Sequence, residues 1–303
     1  MIVVAGESLI DLVPQGTGAL APLSPRLGGG PYNTAVALGR LGARTSFCSR
    51  VSTDGFGEAL VDGLRAAGVD TSLVQRGPEP TTLAVAALGA DGSAGYGFYA
   101  QGSADRLFEL PAAPLPSGVR ALALGTCSLA LEPGASAYEA LLRREAGRGL
   151  FTLLDPNIRA GLIPDPDAYR ARFRSWLPYV SLLKLSQEDA AWLGGSVREW
   201  LAAGPAAVVL TRGAEGMTVR TRGGAVVDAA AVRVEVADTI GAGDTVNAAL
   251  LHRLSAHGAL SAPAVAALGT AAWTDTLAFA ARAAAITCSR PGADPPYATE
   301  LAP

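Results

Sequence analysis

Short runs of apolar residues alternate along the chain with stretches in which apolar residues recur every three or four positions. The short runs predict strands near 1–6, 45–51, 121–125, 151–155, 180–185 and 206–211. The longer stretches predict helices near 32–42, 56–67, 135–147, 167–176, 187–194, 243–257 and 263–285. Because apolar strands that alternate with helices are typical of covered parallel sheets, the pattern predicts an α/β fold with a central, mainly parallel sheet flanked by helices.

Two segments, about 12–27 and 80–101, depart from this alternation. In the second, the apolar runs Thr81–Leu88 and Tyr96–Tyr99 lie on either side of Asp91-Gly92, a dipeptide typical of a tight turn. The pattern predicts a β-hairpin there, which forms either an antiparallel edge of the main sheet or a small sheet of its own.

The strongest candidate for chemistry lies at the start of the helix predicted for 243–257. The segment reads Asp238-Thr239-Ile240-Gly241-Ala242-Gly243-Asp244. Its small residues let backbone N–H groups approach an anion, and the helix dipole acts at the same point. A carboxylate beside such a site can accept a proton from a hydroxyl group. On its own, the segment is equally compatible with an ordinary turn that opens a helix.

Two further segments strengthen the functional interpretation. The run Gly28-Gly29-Gly30-Pro31-Tyr32-Asn33 precedes a predicted helix, and its glycines allow backbone to lie against a ligand. The Asn33 side chain offers the donors and acceptors that a sugar hydroxyl requires. We expect Asp11 to end the first strand, where open α/β sheets place ligand contacts, although a plain turn acid fits the same position.

Composition excludes several classes of protein. The 303 residues, half of them apolar, can bury one large core, so we expect one α/β domain over 1–303, alone or with a small addition. With a net charge of −3 and no basic run, nucleic acid is not an expected partner. Lys184 is the only lysine, which excludes a Gly-x-x-x-x-Gly-Lys phosphate loop. A dinucleotide-binding Gly-x-Gly-x-x-Gly turn does not follow the first strand, which disfavours a dehydrogenase.

The cysteines and the apolar runs bear on location. The odd number of widely spaced cysteines, Cys48, Cys127 and Cys288, favours a reducing compartment over a disulfide framework. We see neither a secretory signal pattern at the start nor an uncharged apolar run of membrane-spanning length. We therefore expect a cytoplasmic protein without a membrane partner.

The segments Gly28-Gly29-x-x-x-Asn33 and Asp238-x-x-Gly241-Ala242-Gly243-Asp244 resemble the two signatures of the ribokinase-like carbohydrate kinases, also called the phosphofructokinase B family. Further matching pieces follow in the family's order: Gly6-Glu7 with Asp11, Gly102–Asp105, Asp155–Arg159, Lys184–Asp189, Thr211–Gly216 and Cys288–Ala293. The resemblance spans nearly the whole chain. It implies a ribokinase-like fold in which segments 12–27 and 80–101 form a small β-sheet lid over a sugar site.

The resemblance also implies roles for individual residues. Asp244 is the expected general base, and the backbone N–H groups of Gly241, Ala242 and Gly243 are expected to stabilise the transferring phosphoryl group. Expected sugar contacts are Asp11, Gly28, Gly29, Asn33, Tyr99 and Arg159, and expected nucleotide contacts are Lys184, Thr211, Gly213, Gly216 and Gly243. A surface salt bridge also fits Arg159, and an ordinary turn fits Thr211 to Gly216.

The implied cofactors are ATP and Mg²⁺. Many relatives carry Asn-x-x-Glu at the metal-linked motif, whereas this chain has Ser186-Gln187-Glu188-Asp189, which leaves Glu188 and Asp189 as alternatives. A monovalent-cation site is implied at Asp238, Ile240, Thr287, Arg290 and Gly292. Whether potassium is required stays open, because carbonyl ligands leave no side-chain signature.

The implied activity is ATP-dependent phosphorylation of a sugar hydroxyl. The opening segment and Asp155–Arg159 look most like fructokinases, followed by 2-keto-3-deoxygluconate kinases and ribokinase. 2-Keto-3-deoxygluconate is a carboxylate, and its kinases are expected to carry an arginine in the lid. This chain has Gln101 there, so a neutral sugar is favoured and fructose comes first. A non-catalytic sugar or nucleotide sensor is the alternative from another class, and the retained Asp244 disfavours it. A homodimer through the lid is an arrangement that occurs among relatives and that the residues leave open.

Overall fold

The computed structural model describes residues 1–16, 18, 20–88 and 94–301 of the chain. Its strands are β1 Ile2–Ala5, β2 Leu9–Pro14, β3 Leu23–Gly28, β4 Thr45–Ser52, β5 Val74–Gly77, β6 Thr82–Leu88, β7 Ala94–Tyr99, β8 Ala121–Gly125, β9 Phe151–Asp155, β10 Leu182–Ser186, β11 Ala207–Thr211, β12 Met217–Thr221 and β13 Val226–Ala229. Its α-helices are α1 Gly30–Arg40, α2 Gly55–Ala66, α3 Gly134–Gly147, α4 Pro166–Trp176, α5 Gln187–Leu193, α6 Val197–Ala203, α7 Ala242–Ala256, α8 Ala262–Ala267 and α9 Thr270–Cys288.

The central sheet has the strand order β13-β12-β11-β10-β9-β8-β1-β4-β5. Strands from β11 to β5 in this order pair in parallel, and β12 and β13 extend the sheet as an antiparallel hairpin at one edge. The predicted α/β fold with a mainly parallel sheet is confirmed. Sequence periodicity did not predict the hairpin at the edge.

A second, smaller sheet has the order β3-β2-β6-β7, so the predicted hairpin belongs to a separate sheet and is not an edge of the main one. Strand β2 pairs antiparallel with β3 and parallel with β6, and β6 pairs antiparallel with β7. The predicted turn at Asp91-Gly92 lies outside the described residues.

The smaller sheet begins at Leu9, three residues before the predicted segment, and therefore includes Asp11. The prediction that Asp11 ends a strand of the central sheet is wrong. The apolar run breaks at Gly6, whose φ of 147° turns the chain from one sheet to the other. A Cβ atom at Gly6 would also lie 2.7 Å from Ser128 Oγ, so glycine suits both the conformation and the space.

Helices cover both faces of the central sheet, so its strands are buried on both sides. Alternate residues of β1 show this: Ile2 and Val4 join the core with α1, α2, α7 and α9, whereas Val3 and Ala5 join the core with α3 to α6. Helix α7 packs between α1 and α9. This packing brings the first turns of α1 and α7 together.

The helices differ from the prediction at two places in the chain. The single helix expected over 263–285 is the pair α8 and α9, which are separated at Gly269. Helix α6 was not predicted, and it begins with a capping box in which the Ser196 and Glu199 side chains satisfy each other's backbone N–H groups. Among the described residues, no helix is both long and apolar enough to span a membrane.

The contribution of the core to the free energy of unfolding can be measured at Leu38 in α1. Its side chain is 0% exposed, so Leu38→Ala should lower the free energy of unfolding by about 2–5 kcal/mol. The matched control is Leu20→Ala, which truncates a leucine that is 98% exposed and should change stability by less than about 0.5 kcal/mol. Denaturant unfolding followed by circular dichroism measures both, and equal losses would contradict the assigned packing.

Candidate active site

A cavity of about 300 Å³ lies between the two sheets, at the carboxyl ends of β1, β8 and β9. Parallel sheets place their ligands at this end. Its walls come from the loops after these strands, from β2 and β7 of the smaller sheet, and from the first turns of α1 and α7. The lining residues are Glu7, Leu9, Asp11, Gly29, Gly30, Asn33, Phe98, Thr126, Cys127, Asn157, Arg159, Thr239, Ile240, Gly241, Gly243 and Asp244.

Asp244 lies in the first turn of α7 and is buried in the wall of the cavity. Its Oδ2 accepts a hydrogen bond from Asn33 Nδ2 at 2.9 Å, and its main-chain oxygen accepts one from Thr34 Oγ1 at 3.3 Å. Burial raises the pKa of Asp244 to about 7; the Asn33 hydrogen bond opposes the rise, and the charge of Asp155 adds to it. A carboxyl group that titrates near neutrality is suited to general base chemistry.

The loop before Asp244 supplies a helix N-terminus. Gly241 is the N-cap residue with φ 77°, and a Cβ atom there would lie 2.6 Å from Ala293 Cβ. Both constraints require glycine. Gly241 and Gly243 line the cavity, whereas Ala242 lies in the same turn outside the lining, with its N–H donating to Thr239 O at 3.3 Å.

Asp11 enters the cavity from β2 of the smaller sheet. Burial raises the pKa of Asp11 to about 6, and the positive charge of Arg159 opposes the rise. Gly28 lies beside it on β3, where a Cβ atom would collide with Asp11 Oδ2. Gly28 therefore makes room for this carboxylate, whereas Gly29 itself lines the cavity.

Strand β7 contributes Phe98 to the cavity in place of the predicted Tyr99. Tyr99 is 68% exposed and lies outside the lining. Successive residues of a strand face opposite sides, so only one of the two neighbours can face the cavity. The sequence does not distinguish the two neighbours, because both are aromatic.

Arg159 lies at the cavity wall after β9. Its guanidinium group donates to Asn157 Oδ1 at 2.7 Å and to the main-chain oxygen of Asn157 at 3.1 Å. Asn157 has φ 39°, a conformation that asparagine tolerates better than most residues. Arg159 lines the same cavity as Asp11 and Asp244, and its charge favours the ionised forms of both.

Sequence reasoning missed Gly30, Glu7 and Thr126 as cavity residues. A Cβ atom at Gly30 would lie 2.5 Å from Thr126 Cγ2 and 3.2 Å from Asp244 Oδ1, so a larger residue would crowd the carboxylate. Glu7 is buried, and it accepts hydrogen bonds from the Thr126 and Ser128 hydroxyl groups and from Ser128 N. Burial raises the pKa of Glu7 to about 7. The third glycine of the 28–30 run was a usable signal, but nothing in the sequence marked Thr126.

Of the predicted nucleotide residues, Gly243 lines the cavity, whereas Lys184, Thr211, Gly213 and Gly216 do not. Thr211 ends β11, and Gly213 and Gly216 form the turn that follows. Gly216 has φ 90°, and a Cβ atom there would collide with Ala229 O. Lys184 on β10 is 4% exposed, and its Nζ donates to Asp155 Oδ2 at 2.8 Å.

The two candidate magnesium acids occupy different environments. Asp189 is buried and faces the loop after β9, where its Oδ1 accepts from Ile158 N at 2.7 Å. Its Oδ2 accepts from Ser186 N at 3.1 Å, which closes the capping box of α5. Glu188 is exposed. No group of three or more His, Cys, Asp or Glu side chains placed to hold a metal ion occurs within the described ranges.

The predicted monovalent-cation residues come together around Asp238. Its Oδ1 accepts from Ile240 N at 3.0 Å and its Oδ2 from Gly292 N at 2.9 Å. Thr287 lies in the last turn of α9, so this loop follows a helix. The Arg290 N–H donates to Thr287 O at 3.1 Å.

Comparison with known proteins finds the same architecture in sugar kinases. The fructokinase of Rhizobium leguminosarum bv. trifolii is 39% identical over 276 residues, which are 88% of this chain and 84% of that protein. The crystal structure of a fructokinase with bound ATP from Xylella fastidiosa superposes with a TM-score of 0.90 at 28% identity and covers 99% of this chain and 96% of that chain. A fructokinase double mutant from Vibrio cholerae O395, bound to fructose, ADP and a potassium ion, gives a TM-score of 0.81 at 26% identity and covers 96% and 93% of the two chains.

The family match extends over almost the whole sequence. Residues 1–300 match the pfkB family of carbohydrate kinases. The large parallel sheet, the small separate sheet and the cavity between them agree with the ribokinase-like fold of this family. The chain therefore belongs to the pfkB family of carbohydrate kinases.

Proposed function

We propose that this protein transfers the γ-phosphate of ATP to a hydroxyl group of fructose. The observation that carries the proposal is the buried Asp244 carboxyl group, with a pKa of about 7, at the glycine-rich N-terminus of α7 in the cavity wall. The fructokinase names of the relatives support fructose among sugars. Membership of the family makes the protein an ATP-dependent carbohydrate kinase.

The reaction follows from the placement of these groups. Ionised Asp244 accepts the hydroxyl proton as the sugar oxygen bonds to the γ-phosphorus. The bond from the γ-phosphorus to the bridging oxygen breaks, and ADP leaves with the electron pair. First-turn N–H groups beside Gly241 and Gly243 stabilise the charge on the transferring group, because an N-terminus favours anions.

Polar side chains around the cavity suit a polyhydroxylated substrate. We assign Asp11 as an acceptor for sugar hydroxyls, with Asn157 and Arg159 of the same lining as donors. Gly29 allows close approach of the backbone. Asn33 already donates to Asp244, so its sugar contact would use the amide oxygen.

2-Keto-3-deoxygluconate is the second candidate substrate, and one observation favours it. Arg159 lines the cavity and could pair with a substrate carboxylate. Against it, position 101 carries the neutral Gln101. The neighbouring Arg106 donates to Gln101 Oε1 and to the main-chain oxygens of Ala100 and Glu132. Ribose is the third candidate sugar.

ATP would lie beside the carboxyl ends of β10 and β11. We assign Thr211, Gly213 and Gly216 to this nucleotide site, with Lys184 beneath it. Mg²⁺ keeps several waters and binds through the phosphates, so a single nearby acid suffices. We assign that role to Asp189 because it is buried toward the Asn157 loop, and we assign a potassium site to the loop around Asp238.

We further propose that residues 1–303 act as one unit in which the smaller sheet serves as a lid. Lid residues Leu23, Leu27 and Tyr99 are exposed, which supports a homodimer that covers this sheet. Cys48, Cys127 and Cys288 are all free thiols, which supports a cytoplasmic location.

Asp244→Asn should lower kcat at least a hundredfold and leave the fold unchanged, because the amide cannot accept the proton. An ATP-coupled assay over fructose, ribose, 2-keto-3-deoxygluconate and adenosine measures the activity, and circular dichroism checks the fold. We expect fructose to give the highest kcat/KM. An active Asp244→Asn enzyme would remove Asp244 as the base, and absence of turnover on every sugar would favour a sensor.

The kcat/KM of the enzyme should fall as the pH drops through about 7, because protonated Asp244 cannot act as a base. Asn33 donates to the ionised carboxylate, so Asn33→Leu should raise the pKa of Asp244 and move this acid limb to higher pH. Thr34→Val is the matched control, since Thr34 donates only to the main-chain oxygen of Asp244. A limb that stays in place in Asn33→Leu would contradict the assignment.

The two acids of the metal-linked motif can be separated by their Mg²⁺ dependence. Asp189→Asn should raise the Mg²⁺ concentration for half-maximal rate several-fold, because it removes the negative charge from the buried position. Glu188→Gln, the matched neutralisation on the exposed side, should leave that concentration unchanged. The reverse pattern would move the role to Glu188.

A further inference from the structure

The only lysine of the chain is also one of its most buried charges. Every other basic side chain apart from the two histidines is an arginine, yet position 184 carries lysine at 4% exposure. A compact ammonium group on an unbranched stem fits a buried site that a planar guanidinium group would overfill. Because removing two charges from water is costly, a buried ion pair is weak evidence for stability. Its place in the fold therefore calls for another explanation.

The ammonium group of Lys184 is held from one side by Asp155. Asp155 Oδ2 accepts from Lys184 Nζ at 2.8 Å and from Asn247 Nδ2 at 2.8 Å. The other oxygen, Asp155 Oδ1, is buried and has no hydrogen-bond partner in the described part of the chain. Among the residues that the structure describes, Lys184 is the one opposite charge at hydrogen-bond distance from this carboxylate. These contacts tie β9, β10 and α7 together.

On its other side the ammonium group touches the phosphoryl-binding turn. A Cβ atom at Gly243 would lie 3.0 Å from Lys184 Nζ, so the charge lies directly against the first turn of α7. Gly243 lines the cavity and Lys184 does not, so the turn lies between the ammonium group and the cavity. Any side chain larger than glycine at position 243 would press on this group.

We propose that Lys184 is a positioning residue for phosphoryl transfer: its ammonium group, held by Asp155 and Asn247, places a fixed positive charge behind the first turn of α7. This inference rests on the proposed function. The charge adds to the partial positive charge of the helix N-terminus, at the point where the transferring group carries negative charge. This chain has no phosphate-loop lysine, and Lys184 supplies a positive charge from the other side of the α7 backbone turn.

The charge of Lys184 also affects the pKa of Asp244. The groups that face Asp244 are Asn33 from α1, Asp155 from β9, Lys184 from β10 and Arg159 from the loop after β9. Asp155 raises the pKa of Asp244, and Lys184 and Arg159 lower it. Loss of Lys184 alone would leave Asp155 uncompensated, and Asp244 would stay protonated to a higher pH.

The test compares Lys184→Met with the double variant Lys184→Met/Asp155→Asn. In the single variant, the acid limb of kcat/KM should move up by about one pH unit, and the plateau above it should fall about tenfold or more. The double variant removes both charges, so its limb should return toward the wild-type position while its plateau stays low. Because the double variant leaves no unpaired buried charge, it tests the proposal even if the single variant fails to fold.

Arg253→Met is the matched control, since it removes a cation from an ion pair with Asp275 at the far end of α7. It should leave both the limb and the plateau in place. A merely structural role for Lys184 would lower the melting temperature of the single and double variants without moving the limb or the plateau of the folded enzyme. That result would overturn the proposal.

Binding provides a readout that does not require turnover. With fructose and Mg²⁺ present, the double variant should bind ADP with aluminium fluoride about tenfold more weakly than wild type by titration calorimetry, while its affinity for ADP alone changes little. Equal losses for both ligands would make Lys184 a direct nucleotide contact and overturn the proposal. Failure of the proposed function is a separate result, since it is seen as a wild-type enzyme that phosphorylates none of the sugars.

Discussion

The hydrogen bond from Asn33 to Asp244 is the interaction on which the rest of the site depends. It joins residues 211 positions apart, in the first turns of α1 and α7, and it is buried. Buried hydrogen bonds to a charged group are stronger than exposed ones and are costly to leave unmade. The bond orients the carboxylate and holds the two helix N-termini side by side. Gly30 lies against the same carboxylate and leaves it accessible from the cavity.

Charge balance is the second constraint on the site. Asp11 and Asp244 line the same cavity, and the charge of Asp155 acts on Asp244. Burial favours the neutral acid at Asp11 and Asp244, whereas Arg159 favours the ionised form of both and Lys184 favours the ionised form of Asp244. Asp244 consequently titrates near neutral pH, where a base can both accept a proton and release it again.

Sequence periodicity predicted the elements whose pattern is local. The helix expected at 243–257 is α7, Ala242–Ala256, and the strand expected at 151–155 is β9, because burial of each element imposes a regular spacing of apolar residues. Periodicity failed where that spacing continues across a break. Apolar residues on both sides of Gly269 concealed the boundary between α8 and α9, and the apolar opening of the chain concealed the change of sheet at Gly6.

The sequence by itself determined the fold class, the glycine-rich turn before Asp244 and the two signatures that resemble a carbohydrate kinase, since each of these is a short local pattern. Only the tertiary structure decided which residues face the cavity. It placed Asp11 on the smaller sheet, brought Phe98 instead of Tyr99 to the wall, and added Glu7 and Thr126. It also placed Lys184 behind the turn of α7. These assignments depend on how distant elements pack against each other, and no local pattern of residues carries that information.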